Sequence, residues 1–276
     1  MEERCMRELS IDEMKSVEAK ILQRFDEYCK ENDLKYSLAE GTLIGAARHK
    51  GFIPWDDDID VIMPRSDFER FRTSFSDSRY KIIQPGKDSI FPYFYIRLSD
   101  NETVVKFDGE YSNPKVNYYE GGLWIDILPI DNFPDSDEDL RKTERKLLTL
   151  FKMYRASKRR GWCKQHSIAR NFAWLGAKTL SLPFSTEWMR KKLEKLMVSY
   201  NGKETRRKGF WTNYWHHPWI FPATAFQGVK ELEFEGRMYP VIAGYDEYLR
   251  SEYGDYMKLP PEEKRIAQHN YKAYKV

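Results

Sequence analysis

Cysteine is scarce: the 276 residues contain three, Cys5, Cys29 and Cys163. An odd number at spacings that match no framework excludes a disulfide-stapled scaffold. With no signal peptide to be read at the start, it points to a reducing, cytoplasmic setting. Long apolar runs are also missing. The longest, near residues 171–184 (NFAWLGAKTLSLPF), is too short to cross a bilayer and is interrupted by Lys178. A membrane span is excluded on that ground, whereas a helix lying along a membrane surface is compatible with it. Charge of one sign is not in excess either: 46 Lys and Arg stand against 43 Asp and Glu, a net charge of +3. Composition therefore gives no case for a nucleic-acid partner. The Gly-Lys-Ser/Thr ending of a P-loop and the Gly-x-Gly start of a dinucleotide fingerprint are both absent, and no Ser/His/Asp or nucleophilic-cysteine arrangement stands out.

What is present is the composition of a folded protein rich in amphipathic rings: 41% apolar residues, 15% aromatic with 18 Tyr and 8 Trp, and 32% charged. The charges are clustered. Residues 131–139 (DNFPDSDED) are acidic, whereas 155–164 (RASKRRGWCK) and 203–208 (KETRRK) are basic. A basic run can face phosphate or an anionic membrane, although a solvated helix end is its commoner use.

Element signals run along the chain without repeats. Ser10 and Glu13 form a capping box, and Ile11, Met14, Val17, Ile21, Leu22, Phe25 and Tyr28 follow at helical spacing, so a helix is predicted up to Asn32 and Asp33. A strand is predicted over 34–38, a short helix over 42–48, a loop over 49–54 and a strand over 55–63 stopped by Pro64. A second capping box, Ser66 with Glu69, predicts a helix to about Ser74. Further strands are predicted over 80–83, 93–98 and 123–128. Ser136 should cap a long helix closed by Gly161, residues beyond about 200 read as irregular, and a last helix is predicted over 245–252, before Gly254. Strands mixed with helices, without regular βαβ alternation, indicate an α+β (mixed α/β) fold.

Chemistry concentrates at Trp55-Asp56-Asp57-Asp58-Ile59-Asp60-Val61. Four carboxylates in five positions repel one another unless something positive sits among them. On a strand, Asp56, Asp58 and Asp60 share one face and Asp57 takes the other. Two same-face carboxylates, Asp58 and Asp60, can seat a hard cation such as Mg²⁺, with substrate phosphates and water completing its shell. A solvated acidic loop is disfavoured by the apolar flanks, where unpaired acids are costly. A calcium loop fails because its sixth position is Val61 rather than Gly and its twelfth is Asp67 rather than Glu. Upstream, Glu40-Gly41-Thr42 would place the amides of Gly41, Thr42 and Leu43 at a helix N-terminus suited to phosphate, though an ordinary tight turn has the same sequence. Between the two segments, Arg48, His49 and Lys50 could clamp a diphosphate or simply end a helix, where bases are common. Asp126, a lone charge in Leu123-Trp124-Ile125-Asp126-Ile127-Leu128, is either a third carboxylate of the site or the partner of an arginine such as Arg97. Cys163-x-x-His166 with His216 and His217 gives only an incomplete zinc pattern.

The stretch from Ala39 to Asp60 (AEGTLIGAARHKGFIPWDDDID) resembles the signature of the LicD family. Gly122 to Asp131 (GLWIDILPID) resembles the family's next block, and Tyr245–Arg250, Tyr253–Met257 and Leu259–Arg265 resemble its C-terminal end. The resemblance implies one catalytic domain over 1–276, with its core at about 10–135 and 230–270 and a less specific middle at 136–226 where acceptor preference would reside. It implies a nucleotidyltransferase-like mixed sheet flanked by helices, with a helical and irregular insertion. Gly41-Thr42, the metal-holding Asp58 and Asp60, and Asp126 match that fold's site, and Glu40, Arg48, His49 and Lys50 would complete donor binding. It further implies Mg²⁺- or Mn²⁺-dependent transfer of phosphocholine from CDP-choline to a hydroxyl of a glycan, free or lipid-linked, in lipopolysaccharide or teichoic acid, with release of CMP. The work would be done in the cytoplasm or on the inner face of the membrane. Animal proteins carrying the same signature move ribitol phosphate from CDP-ribitol, so the motif leaves the alcohol open. Nucleotidyl transfer to a small molecule is the alternative within the same fold. In this setting Asp126 would complete the metal shell or take the acceptor's proton, and aromatics near Phe210–Trp219 could box a quaternary ammonium. Ala47 stands where many members carry a bulkier Val.

Overall fold

A computed structural model describes residues 6–85, 91, 93–107, 121–158, 167–211, 218–266 and 271–276. A two-residue strand, β1 (Arg7–Glu8), leads into α1 (Ile11–Glu31), whose capping box forms as the sequence predicts: Ser10 Oγ accepts from Glu13 N–H, and Glu13 accepts from Ser10 N–H at 2.9 Å. Then come β2 (Ser37–Leu38), α2 (Glu40–His49), β3 (Asp60–Pro64), α3 (Arg65–Ser74), β4 (Tyr80–Ile83), β5 (Ile96–Asp100), β6 (Thr103–Phe107) and β7 (Trp124–Phe133). Three helices follow, α4 (Asp137–Lys158), α5 (Ile168–Ser181) and α6 (Thr186–Met197). After them lie β8 (Arg207–Phe210), β9 (Trp219–Pro222), β10 (Val229–Phe234), β11 (Arg237–Ile242), α7 (Tyr245–Tyr253) and β12 (Tyr271–Lys275).

The main sheet runs β2-β3-β7-β5-β4, with β8 and β9 continuing from the far end of β7. Only β3 and β7 are parallel; their neighbours are antiparallel. The fold is therefore α+β with a mixed sheet. A second sheet, β1-β12-β6, and the β10-β11 hairpin complete the strands among the described residues. Among the described residues three clusters of apolar side chains hold the elements together, a small one of them around Phe91 and Trp124. The largest joins α1, α2, the central strands and α7 through residues such as Phe25, Leu43, Ile62, Ile127, Val241 and Leu249. Another, Leu147, Phe151, Tyr154, Met189, Leu193 and Met197, packs α4 against α6.

Several boundaries depart from the sequence reading, each for a physical reason. The predicted strand over 55–63 begins only at Asp60, because three successive aspartates disfavour extended pairing and Asp56 N–H turns back to the Ile53 carbonyl at 2.9 Å. The second capping box does not form: α3 starts at Arg65 after Pro64, and Glu69 is taken by Arg65 and Arg72. The 93–98 strand lies at 96–100, and β6 was not foreseen. β7 runs on through Asp131, so part of the acidic run is a buried strand end. Ser136 does cap the long helix, but Gly161 lies outside the described residues. The tail beyond 200 is not irregular: four strands, β8 to β11, lie between Arg207 and Ile242, and α7 and β12 follow. Its β10-β11 hairpin turns on Glu235 and Gly236, both at positive φ (49° and 74°), a turn of the kind that right-twisted strands favour.

Gly122 is required by a close approach. A Cβ there would lie 2.1 Å from the Asp100 carbonyl oxygen and 2.3 Å from Thr103 Oγ1. Gly122→Ala is expected to cost about 3 kcal/mol of stability through overpacking, measured by urea denaturation. A cost below about 0.5 kcal/mol would mean the β5–β6–β7 junction yields freely.

Candidate active site

The backbone around Asp60 is tied on both sides. Its N–H donates to Thr42 Oγ1 at 2.8 Å, its carbonyl accepts from Ala39 N–H at 3.0 Å, and the adjacent Ile59 carbonyl accepts from Asp126 N–H at 2.8 Å. Parallel pairing then sets Asp60 directly opposite Asp126 on the neighbouring strand. Thr42, expected near the donor phosphates, is buried and spends its hydroxyl on this tie.

These elements open onto a cavity of about 540 Å³. Its lining includes Glu40, Gly41, Asp56, Asp58, Asp60 and Asp126. Asp57 is not among its walls and is buried, so the alternation expected for the aspartates appears although most of the segment is not a strand. Gly41 has no room for a side chain: a Cβ there would lie 2.4 Å from Asp56 Oδ2. The Leu43 amide bonds the Ala39 carbonyl at 2.9 Å, so of the three amides expected to meet phosphate only those of Gly41 and Thr42 belong to the open turn.

Burial pushes the Asp60 carboxyl well above the usual carboxylate range, and Asp58, Asp126, Glu40 and Asp56 add repulsion. Glu40 sits at φ 49°, a conformation uncommon for a non-glycine residue. Burial raises its carboxyl to about 8, against the opposing effect of two phenols that donate to it: Tyr248, by a short hydrogen bond, and Tyr253 at 2.5 Å. Asp126 accepts from Arg97 Nε at 2.8 Å and from Trp124 Nε1 at 3.3 Å, and the Arg97 guanidinium lies 4.1 Å from the Trp124 ring centroid. Asp126 is thus both the neighbour of Asp60 and the partner of Arg97, the two placements that the sequence left open.

Arg48, His49 and Lys50 are not brought to this cavity. Because α2 is a full ten-residue helix, Arg48 lies roughly 10 Å along its axis from Gly41. Arg48 Nη1 donates to the Tyr256 carbonyl and its Nε to His49 Nε2, while Lys50 pairs with Glu233 at 3.2 Å. The cation that does line the cavity is Arg65, held by Asp131 through Nε–Oδ1 at 2.8 Å and Nη2–Oδ2 at 2.5 Å. Sequence reasoning passed over this pair, whose members stand 66 positions apart. It also passed over Glu18, a buried acid whose carboxyl is pushed well up by burial and then by Asp58, Asp57 and Asp56. The available signal was its place on the apolar stripe of α1, between Met14 and Ile21.

The same cavity is rich in rings: Trp55, Phe94, Tyr95, Phe210, Trp211, Trp219 and Tyr253 share its lining with the carboxylates. The expected ring cluster at Phe210–Trp219 is therefore present where it is described, and residues 212–217, with His216 and His217, lie outside the described residues, as do Cys163 and His166.

Compared with known proteins, residues 33–144 match the family described as "LicD/FKTN/FKRP, nucleotidyltransferase domain". A protein of Haemophilus influenzae named lipopolysaccharide cholinephosphotransferase LicD is 32% identical over 277 residues, covering 98% of this chain and 99% of that one. The chain belongs to the LicD family. An uncharacterized protein of Rickettsia typhi matches a shorter stretch of this LicD-family chain, 39% identical over 59 residues, 20% of this chain and 19% of that one.

The chemistry of the donor set bears on a divalent cation. Every candidate ligand is a hard carboxylate oxygen, the acids repel one another as they stand, and Glu18 Oε2, buried behind the aspartate loop, has no hydrogen-bond partner. Among the described residues no three His, Cys, Asp or Glu side chains are gathered closely enough to enclose an ion alone. Hard oxygen donors of this type are those that Mg²⁺ or Mn²⁺ takes, and one or two carboxylates suffice when phosphates and water complete the shell.

Proposed function

We propose that this chain transfers phosphocholine from CDP-choline to a hydroxyl of a cell-surface glycan, releasing CMP, and that the whole chain acts as one catalytic domain of nucleotidyltransferase type. The observation that carries this reading is a single cavity whose lining combines carboxylates with aromatic rings. A nucleoside diphosphate linked to a quaternary ammonium needs both: carboxylates that hold a cation for the diphosphate and rings for the trimethylammonium head. The full-length likeness to a lipopolysaccharide cholinephosphotransferase supports the same assignment.

Asp58 and Asp60 are the residues that would hold the divalent cation, with Asp126 beside them. When bound, such a cation supplies neutralisation of the diphosphate's charge as its bond to CMP breaks. The acceptor oxygen attacks the choline-bearing phosphorus, the bond between that phosphorus and the CMP oxygen breaks, and the hydroxyl proton passes to a carboxylate, for which Asp126 is oriented by Arg97 and Trp124. Arg65 lines the cavity and would meet the donor's phosphates with its guanidinium, and the amides of Gly41 and Thr42, in the first turn of α2, would add to that contact.

Purified protein given CDP-choline, a glycan acceptor and Mg²⁺ should release CMP, and EDTA should stop it. Pyrophosphate from CTP with no CMP from CDP-choline would instead establish nucleotidyl transfer, the reading that the family's description also allows. CDP-ribitol serves as the comparison donor. Trp219→Leu is expected to raise KM for CDP-choline about tenfold, the worth of one desolvated cation–π contact, while changing KM for CDP-ribitol by less than about twofold. Equal losses with both donors would remove the rings from choline recognition.

A further inference from the structure

The helical layer beyond β7 turns an apolar row outward. On α5 and the linker after it, Ile168 is 70% exposed, Phe172 60%, Leu175 54%, Leu180 69% and Leu182 73%. Two polar residues of the same helix, Asn171 and Ser181, are buried instead. This reverses the arrangement of a helix whose outer face meets water. Phe184 and Trp188 extend the row, stacked at 4.8 Å, and both are exposed. No acid occurs between Ser167 and Thr186, whereas Arg170 and Lys178 lie within α5, and Lys191, Lys192 and Lys195 stand exposed on α6.

We infer that this face docks onto an anionic lipid bilayer, with α5 lying in the plane of the interface. Two observations favour a bilayer over another occupant. The acids near the row, Glu187 and Glu194, are spent on Arg190 and Lys191, whereas Lys192 and Lys195 stand exposed one and two turns along α6 from Trp188, a basic margin that acidic headgroups complement. A tryptophan at the edge of the row suits the boundary between acyl chains and headgroups. Among the described residues no helix is long and apolar enough to cross a membrane, so contact at this face would lie along the surface.

The geometry connects the surface to the cavity. On α6, Trp188 belongs to the exposed row and Met197 lines the cavity, nine residues and roughly 13 Å further along the axis. Docking would bring the cavity within reach of a glycan carried on a lipid. This consequence rests on the proposed transferase reading; the docking itself does not.

The test is co-sedimentation of the full chain with phosphatidylglycerol-containing vesicles and with pure phosphatidylcholine vesicles. CMP release with a lipid-free acceptor, light scattering and thermal melting are recorded on the same samples. The wild-type chain is expected to bind the anionic vesicles at least about tenfold more tightly than the neutral ones. Leu175→Glu/Leu180→Glu should weaken that binding by roughly tenfold or more with unchanged melting, and Lys192→Glu/Lys195→Glu should weaken it to a lesser, salt-dependent degree. The absence of anionic-vesicle binding, or binding that none of these substitutions alters, would overturn the inference. So would a solution dimer that the leucine substitutions dissociate, since the face would then belong to a second copy. Vesicle binding lost in the variants, in a protein that releases no CMP from CDP-choline, would sustain the docking surface and dismiss the transferase reading alone.

Discussion

Asp58→Asn lowers CMP release from CDP-choline by at least about 10³-fold while leaving the circular dichroism spectrum unchanged; this is the largest effect expected of a conservative substitution here. Asparagine keeps the shape of the side chain and removes the charge that a hard cation needs. The structure also separates chemistry from folding at this position. Asp58 lies on an irregular segment ahead of β3, and the neighbouring Asp60 backbone is held by Thr42 and Ala39 rather than by the Asp58 side chain. Asp58 is moreover one of the charges that repel Asp60 and Glu18. Removing it relieves repulsion in the metal-free protein, so in EDTA the variant should melt no lower than the wild type. Added Mg²⁺ should raise the melting temperature of the wild type and not of the variant, because only a species that binds the native state shifts its unfolding. Full activity in Asp58→Asn would sink the metal assignment. Loss of activity accompanied by a lower melting point in EDTA would place Asp58 in the scaffold instead.

The local half of this site could be read from the chain, and the long-range half could not. The alternation of Asp56, Asp58 and Asp60 against Asp57 and the seat of Asp126 beside them depend on near neighbours and on one strand pairing, and both appear as the sequence suggests. The helix over 11–31 and the final helix ending at Gly254 carried their own caps. Arg48, His49 and Lys50 looked like a clamp because they lie between two site segments in sequence. Helical rise carries them away from one segment, and tertiary partners more than 180 residues distant absorb Arg48 and Lys50. The tyrosines that hold Glu40 are 208 and 213 positions away, so nothing local in the signature shows why a glutamate belongs there. The β10-β11 hairpin was missed because its turn places a glutamate at positive φ, where glycine or asparagine is the usual signal.

Arg65 is the residue whose loss should be felt twice. Its side chain is 19% exposed and that of its partner Asp131 is 1% exposed, and Asn201 Nδ2 also donates to Asp131 Oδ1 at 2.5 Å. Asp131 opens the part of β7 that pairs with β8, and β8 with β9 brings Phe210 and Trp219 to the cavity. The ion pair therefore pins the ring wall to α3 while offering the cavity a positive charge. Arg65→Ala leaves a buried carboxylate short of its partner and is expected to cost about 3 kcal/mol of stability, together with roughly 10²-fold in kcat/KM. The two roles separate in the double variant Arg65→Ala/Asp131→Ala. Removing both charges should restore most of the stability, since the penalty comes from the abandoned acid, yet activity should stay near that of the single variant, since the cation is still missing from the cavity. Arg65→Lys should fall between the two, keeping the charge and losing the paired hydrogen bonds. If turnover recovers with stability in the double variant, Arg65 serves only to hold the wall, and the phosphates must be met by the amides of Gly41 and Thr42 and by whatever cation the aspartates bind.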